Sequence, residues 1–281
     1  MSALGPEAPR SLRKPGDTDA VTFSWADGRA GVYGLARVAS GLLADGTTSH
    51  SVLAVGFAGR ETLGAIAEAG ATPPAELTTA IEEPLERWTV SGAGEIEFSL
   101  TFEALTPPAE YGGRMALVKT GGMEGYEQLC RVRGTMAGRE IDGLGQRGHS
   151  WGNPDWDKIA LTRSVSAWFD DGTGCVLSTV RSIKTDNHAD EAIWAAAFDG
   201  SRFLAVDEPR LSTTTDGAGR QVRAGLELWM DKDDDYPTRG LGEVITGSTL
   251  ELGALRLDVA FFGWHVEGRV AIGRYDIIRR A

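Results

Sequence analysis

The chain has few cysteines, no long apolar run and no excess of positive charge, and each shortage excludes a class of protein. Cys130 and Cys175 are the two cysteines among 281 residues, and they lie too far apart to suggest a metal site. Two reduced, partly buried thiols predict a cytoplasmic protein. No window of about eighteen apolar residues is present, so we expect no membrane insertion. The formal net charge of −12, with no basic stripe, argues against nucleic acid and anionic lipid as partners.

Motifs for cofactors are also missing. The sequence contains no glycine-rich strand–turn–helix for a dinucleotide and no P-loop, so nicotinamide, flavin and ATP are not expected. His149, Asp155 and Asp157 come nearest to a metal-ligand cluster, but a Trp and a Pro intervene and the spacing fits no known ligand set. We therefore expect chemistry without a cofactor or a metal.

Alternation of apolar and polar residues dominates what is present. Glu95 to Phe102 places every apolar side chain on one face, and similar runs occur at Val222 to Met230 and Leu255 to Phe261. Only Ala75 to Arg87 and Thr62 to Ala69 contain enough helix formers to predict short helices. A doubly wound parallel sheet needs a helix after most strands, so the pattern predicts mainly antiparallel β-structure in barrels or sandwiches.

The sequence also predicts how the chain is divided. Residues 1–16 contain prolines and scattered charges without an apolar run, which predicts a flexible leader and no signal peptide. Two strand-rich stretches of similar size follow, over residues 17–150 and 151–281, and predict two comparable β domains. The Pro- and Gly-rich stretch Thr106 to Gly122 is predicted to be a long loop.

The densest chemistry lies in the segment from Arg147 to Asp157. Gly145-Gln146-Arg147-Gly148-His149-Ser150-Trp151-Gly152, followed by Asp155-Trp156, resembles the G-x-G-x-R-D-H-S-W-G-x-R-D-W signature of the hydroxyneurosporene synthase/carotenoid hydratase-like superfamily. The resemblance implies two lipocalin-like β-barrel domains with a largely apolar pocket. It also implies cofactor-free chemistry on long hydrophobic substrates, either hydration of isoprenoid double bonds or cycloaddition of polyketide polyenes.

The sequence departs from the signature at Gly148, where an Asp is usual, and at Pro154, where an Arg is usual. Acid-driven hydration needs a neutral carboxyl group in dry surroundings, and Gly148 removes one. The acids that remain nearby are Asp155, Asp157, Asp142 and Glu124. A pericyclic route needs only a shaped pocket and a hydrogen bond to a carbonyl, so cyclisation ranks above hydration.

The sequence thus predicts a cofactor-independent cyclase or isomerase, a Diels–Alderase or related pericyclase, acting on a hydrophobic polyene polyketide or terpenoid. His149, Asp155 and Glu124 are the predicted catalytic residues, with His149 orienting or polarising the substrate. Apolar and π walls are predicted from a set of aromatic residues. This set is Trp151, Trp156, Tyr126, Trp168, Trp194 and Trp264. His265, next to Trp264 in a strand-like run, is predicted to face the other way.

Other interpretations stay open. The chain can be a hydratase, or a carrier that binds an apolar ligand without changing it. Gly148-His149-Ser150-Trp151-Gly152 also matches the nucleophile elbow of α/β-hydrolases, with Ser150 as nucleophile and His188 or His265 as base. That hypothesis requires a buried strand before the serine and a helix after it, which the flanking residues do not favour. Finally, the aromatic residues can be core, and Asp155 and Asp157 can be turn caps.

Overall fold

A computed structural model describes residues 5–185 and 190–281. In these ranges the chain forms two compact units. Unit 1 comprises Met1–Gly113 and Gly122–Pro154, and unit 2 comprises Arg114–Gly121 and Asp155–Ala281. Both are built from antiparallel strands that form one curled sheet each. The predicted mainly antiparallel β fold class is therefore confirmed.

Unit 1 contains a ten-stranded sheet. Its strands are β1 Thr18–Asp27, β2 Val32–Leu42, β3 Thr48–Ala58, β4 Glu61–Gly70, β5 Leu77–Glu83, β6 Arg87–Gly92, β7 Phe98–Ala104, β8 Ala109–Tyr111, β9 Met123–Met136 and β10 Arg139–Gly152. Their order is β4-β3-β2-β1-β10-β9-β7-β6-β5, and β8 pairs with β9. A short 3₁₀ helix, Gly5–Glu7, precedes the sheet.

Unit 2 contains a nine-stranded sheet. Its strands are β11 Ile159–Trp168, β12 Gly174–Ser182, β13 Ala192–Phe198, β14 Phe203–Ala205, β15 Glu208–Thr215, β16 Gln221–Trp229, β17 Thr238–Leu252, β18 Leu255–Val266 and β19 Arg269–Arg280. The helix α1, Ala116–Gly121, also belongs to unit 2 and packs on β12 and β13. The strand order is β14-β13-β12-β11-β19-β18-β17-β16-β15.

The two sheets follow the same path. In each unit a meander of four strands is followed by a second meander, and the first strand of the unit pairs with its last strand. These closing pairs are β1 with β10 in unit 1 and β11 with β19 in unit 2. The two units therefore have the same connectivity.

The alternating runs are confirmed as parts of β7, β16 and β18, but both predicted helices are wrong. Thr62 to Ala69 lies within β4, which pairs with β3, and Ala75 to Arg87 contains β5, which pairs with β6. Pairing with a neighbouring strand overrides the weak helix propensity of these alanines and glutamates. Within the described ranges the α-helix lies instead inside the predicted loop, at α1, where Leu117 is buried.

The N-terminal residues do not form a loose leader where the structure describes them. Glu7 is buried at 3% exposure, and the backbone N–H of Arg10 donates to Asp19 of β1. The chain passes from unit 1 to unit 2 between Pro154 and Asp155, just after the boundary expected at Ser150. The excursion that carries α1 into unit 2 has no counterpart in the sequence-based division, because packing of α1 against β12 decides it.

Each unit has its own apolar core. In unit 1 the rings of Phe23 and Phe102 have centroids 5.0 Å apart, and those of Trp25 and Phe98 have centroids 5.2 Å apart. Cys130 and Cys175, one in each core, are free and buried, and burial raises the pKa of each thiol to about 12. They are inert packing residues. In the described ranges, no helix has both the length and the apolar character needed to span a membrane.

Candidate functional site

One face of β10 carries the chemistry of the motif. Side chains alternate across a strand, so Arg147, His149 and Trp151 share a face. In the antiparallel ladder Tyr126 of β9 lies opposite His149, and Glu124 lies opposite Trp151. Directly opposite residues point to the same side of a sheet. The fold therefore brings together His149, Trp151, Glu124 and Tyr126, all predicted as site residues.

His149 is buried and held by a carboxylate that the sequence analysis did not identify. Its Nε2 lies 2.7 Å from Oδ1 of Asp19 on β1, and the imidazole is 1% exposed. A carboxylate only accepts hydrogen bonds, so Nε2 donates to Asp19, and in that tautomer of a neutral imidazole Nδ1 has the lone pair. Among the residues described, Nδ1 has no hydrogen-bond partner. His149 thus has the arrangement of an oriented base.

Aromatic rings surround this imidazole. The ring centroid of His149 lies 5.1 Å from that of Trp151 and 5.8 Å from that of Tyr126, both in edge-to-face geometry. The indole N–H of Trp151 donates to Oε2 of Glu124 at 3.3 Å, and Oε1 of Glu124 accepts from the backbone of Gly113. Arg10 lies over the Trp151 ring at 3.9 Å. Glu124 therefore orients a wall of the site.

A buried ion pair adjoins the imidazole. Arg147, 1% exposed, places Nη2 2.6 Å from Oε1 of Glu7, and its Nη1 donates to the hydroxyl of Tyr126. The indole N–H of Trp88 donates to the same Glu7 oxygen at 2.6 Å. Burial is the main cause that raises the pKa of Tyr126 to about 12, so its phenol stays protonated near neutral pH.

The carboxyl group missing at Gly148 is supplied by the neighbouring strand. Glu127 of β9 lies directly opposite Gly148, and a Cβ built on Gly148 would overlap the Glu127 carboxylate. That carboxylate accepts a hydrogen bond from Nε2 of Gln146 at 2.6 Å. An Asp at position 148 and Glu127 would therefore compete for one place. The sequence alone did not reveal this exchange, because it requires the register of β9 with β10.

Asp155 has the contacts of a turn cap. It is exposed, accepts from the backbone N–H of Asp157 at 3.1 Å, and pairs with Nζ of Lys158 at 2.6 Å. The hydrogen bond from Lys158 lowers the pKa of Asp155, whereas a proton donor needs a raised one. Asp157 pairs with Arg280 at 2.8 Å, and Trp156 is half-buried in the same turn. The contacts of Asp155 and Asp157 therefore fit turn-capping and surface ion-pair roles better than catalysis.

The remaining predicted aromatic residues belong to the strands of unit 2. Trp168 and Trp264 are buried, and Trp264 packs with its centroid 5.7 Å from that of Phe262. Trp194 lies half-buried on β13. His265 is exposed while Trp264 is buried, which confirms that the two side chains point to opposite faces. Trp168 and Trp264 therefore have the burial of core residues, whereas Trp194 is only half-buried.

The nucleophile-elbow hypothesis does not fit the fold. Ser150 lies within β10 between the antiparallel neighbours β1 and β9, and the strand continues to Gly152. An elbow requires a sharp turn from a strand into a helix. His188, one proposed base, lies outside the described residues, and His265 is in unit 2.

Within residues 5–185 and 190–281, no group of three His, Cys, Asp or Glu side chains is placed to hold a metal ion. A surface depression of about 340 Å³ occurs on unit 2, but its lining includes none of the predicted site residues. It is lined by Thr214, Val222, Arg223, Glu243 and Val244.

Comparison with protein families gives one match, which covers most of the chain. The profile of a domain of unknown function, DUF7064, matches residues 9–276. The chain belongs to this family. A comparison with curated proteins found no match.

Solved structures similar to this chain show the same fold. CghA with Sch210972 has a TM-score of 0.64 at 11% identity, covering 97% of this chain and 95% of that chain. Kievitone hydratase from Nectria haematococca has a TM-score of 0.63 at 11% identity, covering 99% and 94%. At this level of identity the two solved structures show a shared fold, in agreement with the lipocalin-like architecture expected from the sequence.

Proposed function

We propose that the protein is a cofactor-independent cyclase or isomerase, whose substrate is a hydrophobic polyene polyketide or terpenoid with a carbonyl group. The observation that carries the proposal is the buried His149, whose Nε2 is held by Asp19 while Nδ1 has no partner among the described residues. The free, buried thiols of Cys130 and Cys175 support a cytoplasmic location as part of the proposal.

The geometry suits proton transfer to and from carbon. Nδ1 of His149 accepts a proton from a carbon next to the carbonyl, and the C–H electrons pass to the carbonyl oxygen as a dienolate. Asp19 stabilises the imidazolium that forms, as a carboxylate does in a catalytic triad. Return of the proton to another carbon gives an isomer, or a conjugated diene that closes a ring. The product has the composition of the substrate in both cases.

The rings beside His149 supply the second requirement. Trp151 and Tyr126 form edge-to-face walls around the imidazole, and Glu124 fixes the Trp151 indole. Rigid apolar walls hold a flexible polyene in its reactive conformer and so remove orientational entropy, which is worth up to about 7–11 kcal/mol in well-oriented intramolecular systems. Cyclisation depends more on holding the polyene in its reactive conformer than on the strength of an acid.

Hydration is the second candidate. Glu127 supplies a carboxyl group where Gly148 lacks one, and one solved protein of the same fold is named a hydratase. A carboxyl group that protonates a double bond would leave a cation for water to capture. We rank this route second because the Glu127 carboxylate is engaged as an acceptor by Nε2 of Gln146 and not as a donor.

The mass of the product distinguishes these activities. Purified protein would be incubated with linear polyketide-type and isoprenoid polyenes that bear a carbonyl group, and the products analysed by liquid chromatography and mass spectrometry. A new compound of unchanged mass supports the proposal, whereas a product heavier by one water supports hydration. Recovery of every compound unaltered would leave a carrier as the better interpretation.

Asp19→Asn is the variant that ties activity to the site, because it keeps the size of the side chain but loses the carboxylate that holds His149. Turnover should fall by about 10²-fold, in the range of general acid–base contributions. Asp142→Asn is the matched control, since Asp142 is exposed and pairs with Arg131 on the surface. Equal turnover in the two variants would remove His149 from the mechanism.

A further inference from the structure

The carboxylate of Glu7 lies among hydrogen-bond donors of unit 1, and we call this set of donors the carboxylate receptor. Oε1 is 2.6 Å from Nη2 of Arg147 on β10, 2.6 Å from the indole nitrogen of Trp88 on β6 and 3.5 Å from the Tyr126 hydroxyl on β9. Oε2 accepts from the backbone N–H of Leu85 at 2.5 Å. Both oxygens are thus bound by donors that the sheet and its turn supply, as in recognition of a planar carboxylate.

The backbone at Leu85 is adapted to this carboxylate. Leu85 has φ +62°, in the left-handed region that a residue with a branched side chain seldom adopts. Its N–H is the donor to Oε2 of Glu7. Backbone strain of this kind concentrates at ligand clamps and functional sites. The turn before β6 therefore holds an unfavourable conformation at the point where it meets the anion.

The anion comes from outside the sheet. Glu7 lies in the 3₁₀ helix that precedes β1, separated by 81 residues from Trp88 and by 119 from Tyr126. Its neighbours Pro6 and Pro9 are exposed and Ala8 is half-buried, so the segment inserts one side chain into unit 1. The receptor is built by the sheet, whereas its occupant is delivered by a peripheral segment.

The same segment also covers the imidazole site. The backbone N–H of Arg10 donates to Oδ2 of Asp19 at 3.0 Å, and the Arg10 guanidinium lies 3.9 Å from the centre of the Trp151 ring. Asp19 is the residue that holds His149. Withdrawal of residues 5–10 would free the carboxylate receptor and uncover the Asp19–His149 pair together.

We propose that Glu7 occupies the binding site for the carboxylate of an acid ligand, which displaces Glu7 when it binds. The occupant must carry a negative charge, because Arg147 is fully buried and an unpaired guanidinium there is strongly unfavourable. An alcohol or an aldehyde of the same shape does not meet this requirement. This inference rests on the proposed function for its substrate class, which it narrows to polyene carboxylic acids that place the carboxylate beside His149.

The first test replaces Glu7 by a soluble acid. Glu7→Gly removes a side chain equivalent to propionate, and its Tm should be lower than that of the wild type. Added propionate should raise the Tm of the variant along a saturable curve, as expected for a ligand of the folded state, while 1-propanol should not. Glu191→Gly, which empties a buried Arg–Glu pair of unit 2, is the matched control and should show no such recovery.

A second measurement covers a Glu7→Gly variant that fails to fold. Glu7→Gln keeps the shape of the side chain without its charge, and retinoic acid and retinol serve as matched polyene probes with and without a carboxylate. Retinoic acid should bind the variant at least about tenfold more tightly than it binds the wild type. Quenching of tryptophan fluorescence measures both affinities. Retinol should show no such gain, and Arg147→Met added to Glu7→Gln should abolish the gain for retinoic acid.

Some outcomes overturn the inference. Equal recovery of Glu7→Gly and Glu191→Gly in propionate would show a general salt effect, and equal gains for retinol and retinoic acid would show that charge is not recognised. These readouts measure binding and not turnover. If the binding effects are absent but the protein turns over its substrate, this inference alone is rejected. If the binding effects are present but Asp19→Asn has the turnover of the wild type, the proposed function alone is rejected.

Discussion

Each unit buries a cluster of an arginine, a glutamate and a tyrosine, and the two clusters differ in where the glutamate comes from. In unit 1 the cluster is Arg147, Glu7 and Tyr126. In unit 2 it is Arg163, Glu191 and Tyr275. Glu7 reaches its sheet from a peripheral 3₁₀ helix, whereas Glu191 lies immediately before β13.

The cluster of unit 2 is closed on itself. Glu191 pairs with Arg163 and with Arg181, whose Nε donates at 2.6 Å. Arg163 also donates to the hydroxyls of Thr179 at 3.2 Å and Thr213 at 2.9 Å. These residues lie on β11, β12 and β15 or just before β13, so the charged groups of the cluster are engaged in contacts between strands of one sheet. Such a network holds the strands of the sheet together.

The cluster of unit 1 instead depends on a segment that the sheet does not include, and it adjoins the His149–Asp19 pair. Similar side chains therefore serve stability in one unit and form the candidate site in the other. What distinguishes them is the element that delivers the carboxylate, and not the chemistry of the residues. Four predictions test this difference.

The largest effect is expected in the closed cluster. Glu191→Leu leaves Arg163 buried without its carboxylate, so the free energy of unfolding should fall by about 3–5 kcal/mol, as for other broken buried ion pairs. Urea denaturation measures this loss. Glu7→Leu should cost less, because Glu7 belongs to a peripheral segment that can withdraw and admit water to Arg147. Equal losses in the two variants would erase the distinction between the clusters.

The next effect concerns turnover. His149→Ala should lower turnover by about 10²-fold, which corresponds to about 2.7 kcal/mol in the barrier, because the base beside the unit 1 cluster is lost. His265→Ala is the matched control, since His265 is exposed on unit 2, and its turnover should be that of the wild type. Steady-state kinetics on the polyene identified by mass spectrometry provide the measurement. A similar fall in both variants would indicate an effect unrelated to the site.

A smaller effect is expected when a carboxylate is introduced at position 148, next to that of Glu127. Gly148→Asp should destabilise the protein by about 1–3 kcal/mol, because its side chain enters the place of the Glu127 carboxylate. The double variant Gly148→Asp/Glu127→Gly should recover most of the loss, since one carboxylate then occupies the place. Thermal unfolding of both variants and of Glu127→Gly alone completes the cycle. Strict additivity of the two single changes would show that the residues do not compete.

The smallest effect appears at alkaline pH. The folded pKa of Tyr126 is raised from 10 to about 12, so its contribution to stability is fully present below pH 10 and is lost as the pH rises to about 12. Tyr126→Phe should remove this contribution and flatten the pH dependence of the unfolding free energy in that window. Chemical denaturation across the window measures both slopes. Identical slopes in wild type and variant would assign the dependence to other groups.

Local sequence patterns predicted the strands well where both faces of a strand differ in burial. The runs in β7 and β16 alternate because one face meets a core, and that alternation is visible without the fold, whereas the middle of β18 is buried on both faces. The segments of β4 and β5 carry helix formers on largely exposed surfaces, so their composition was misleading. Pairing with a neighbouring strand decided their structure, and single-chain propensity contains no information on that partner.

The candidate site also combines residues that the sequence pointed to with residues that it did not. The motif identified His149 and Trp151, and its surroundings identified Tyr126 and Glu124, because these residues lie on two strands joined by a tight turn. Asp155 was attributed to the site from its nearness in sequence, although its contacts are with the following turn. Nothing local to the motif indicated that a carboxylate from another strand would hold the imidazole.

Residue order alone specifies a mainly antiparallel β chain, and it provides an imidazole, indoles and a break in the motif at Gly148. Three contacts follow from the fold: Asp19, 130 residues away, holds His149, Glu127 fills the place beside Gly148, and Glu7 pairs with Arg147. Strand periodicity is local, whereas these contacts depend on strand register and on the path of a peripheral segment, which only the complete fold specifies.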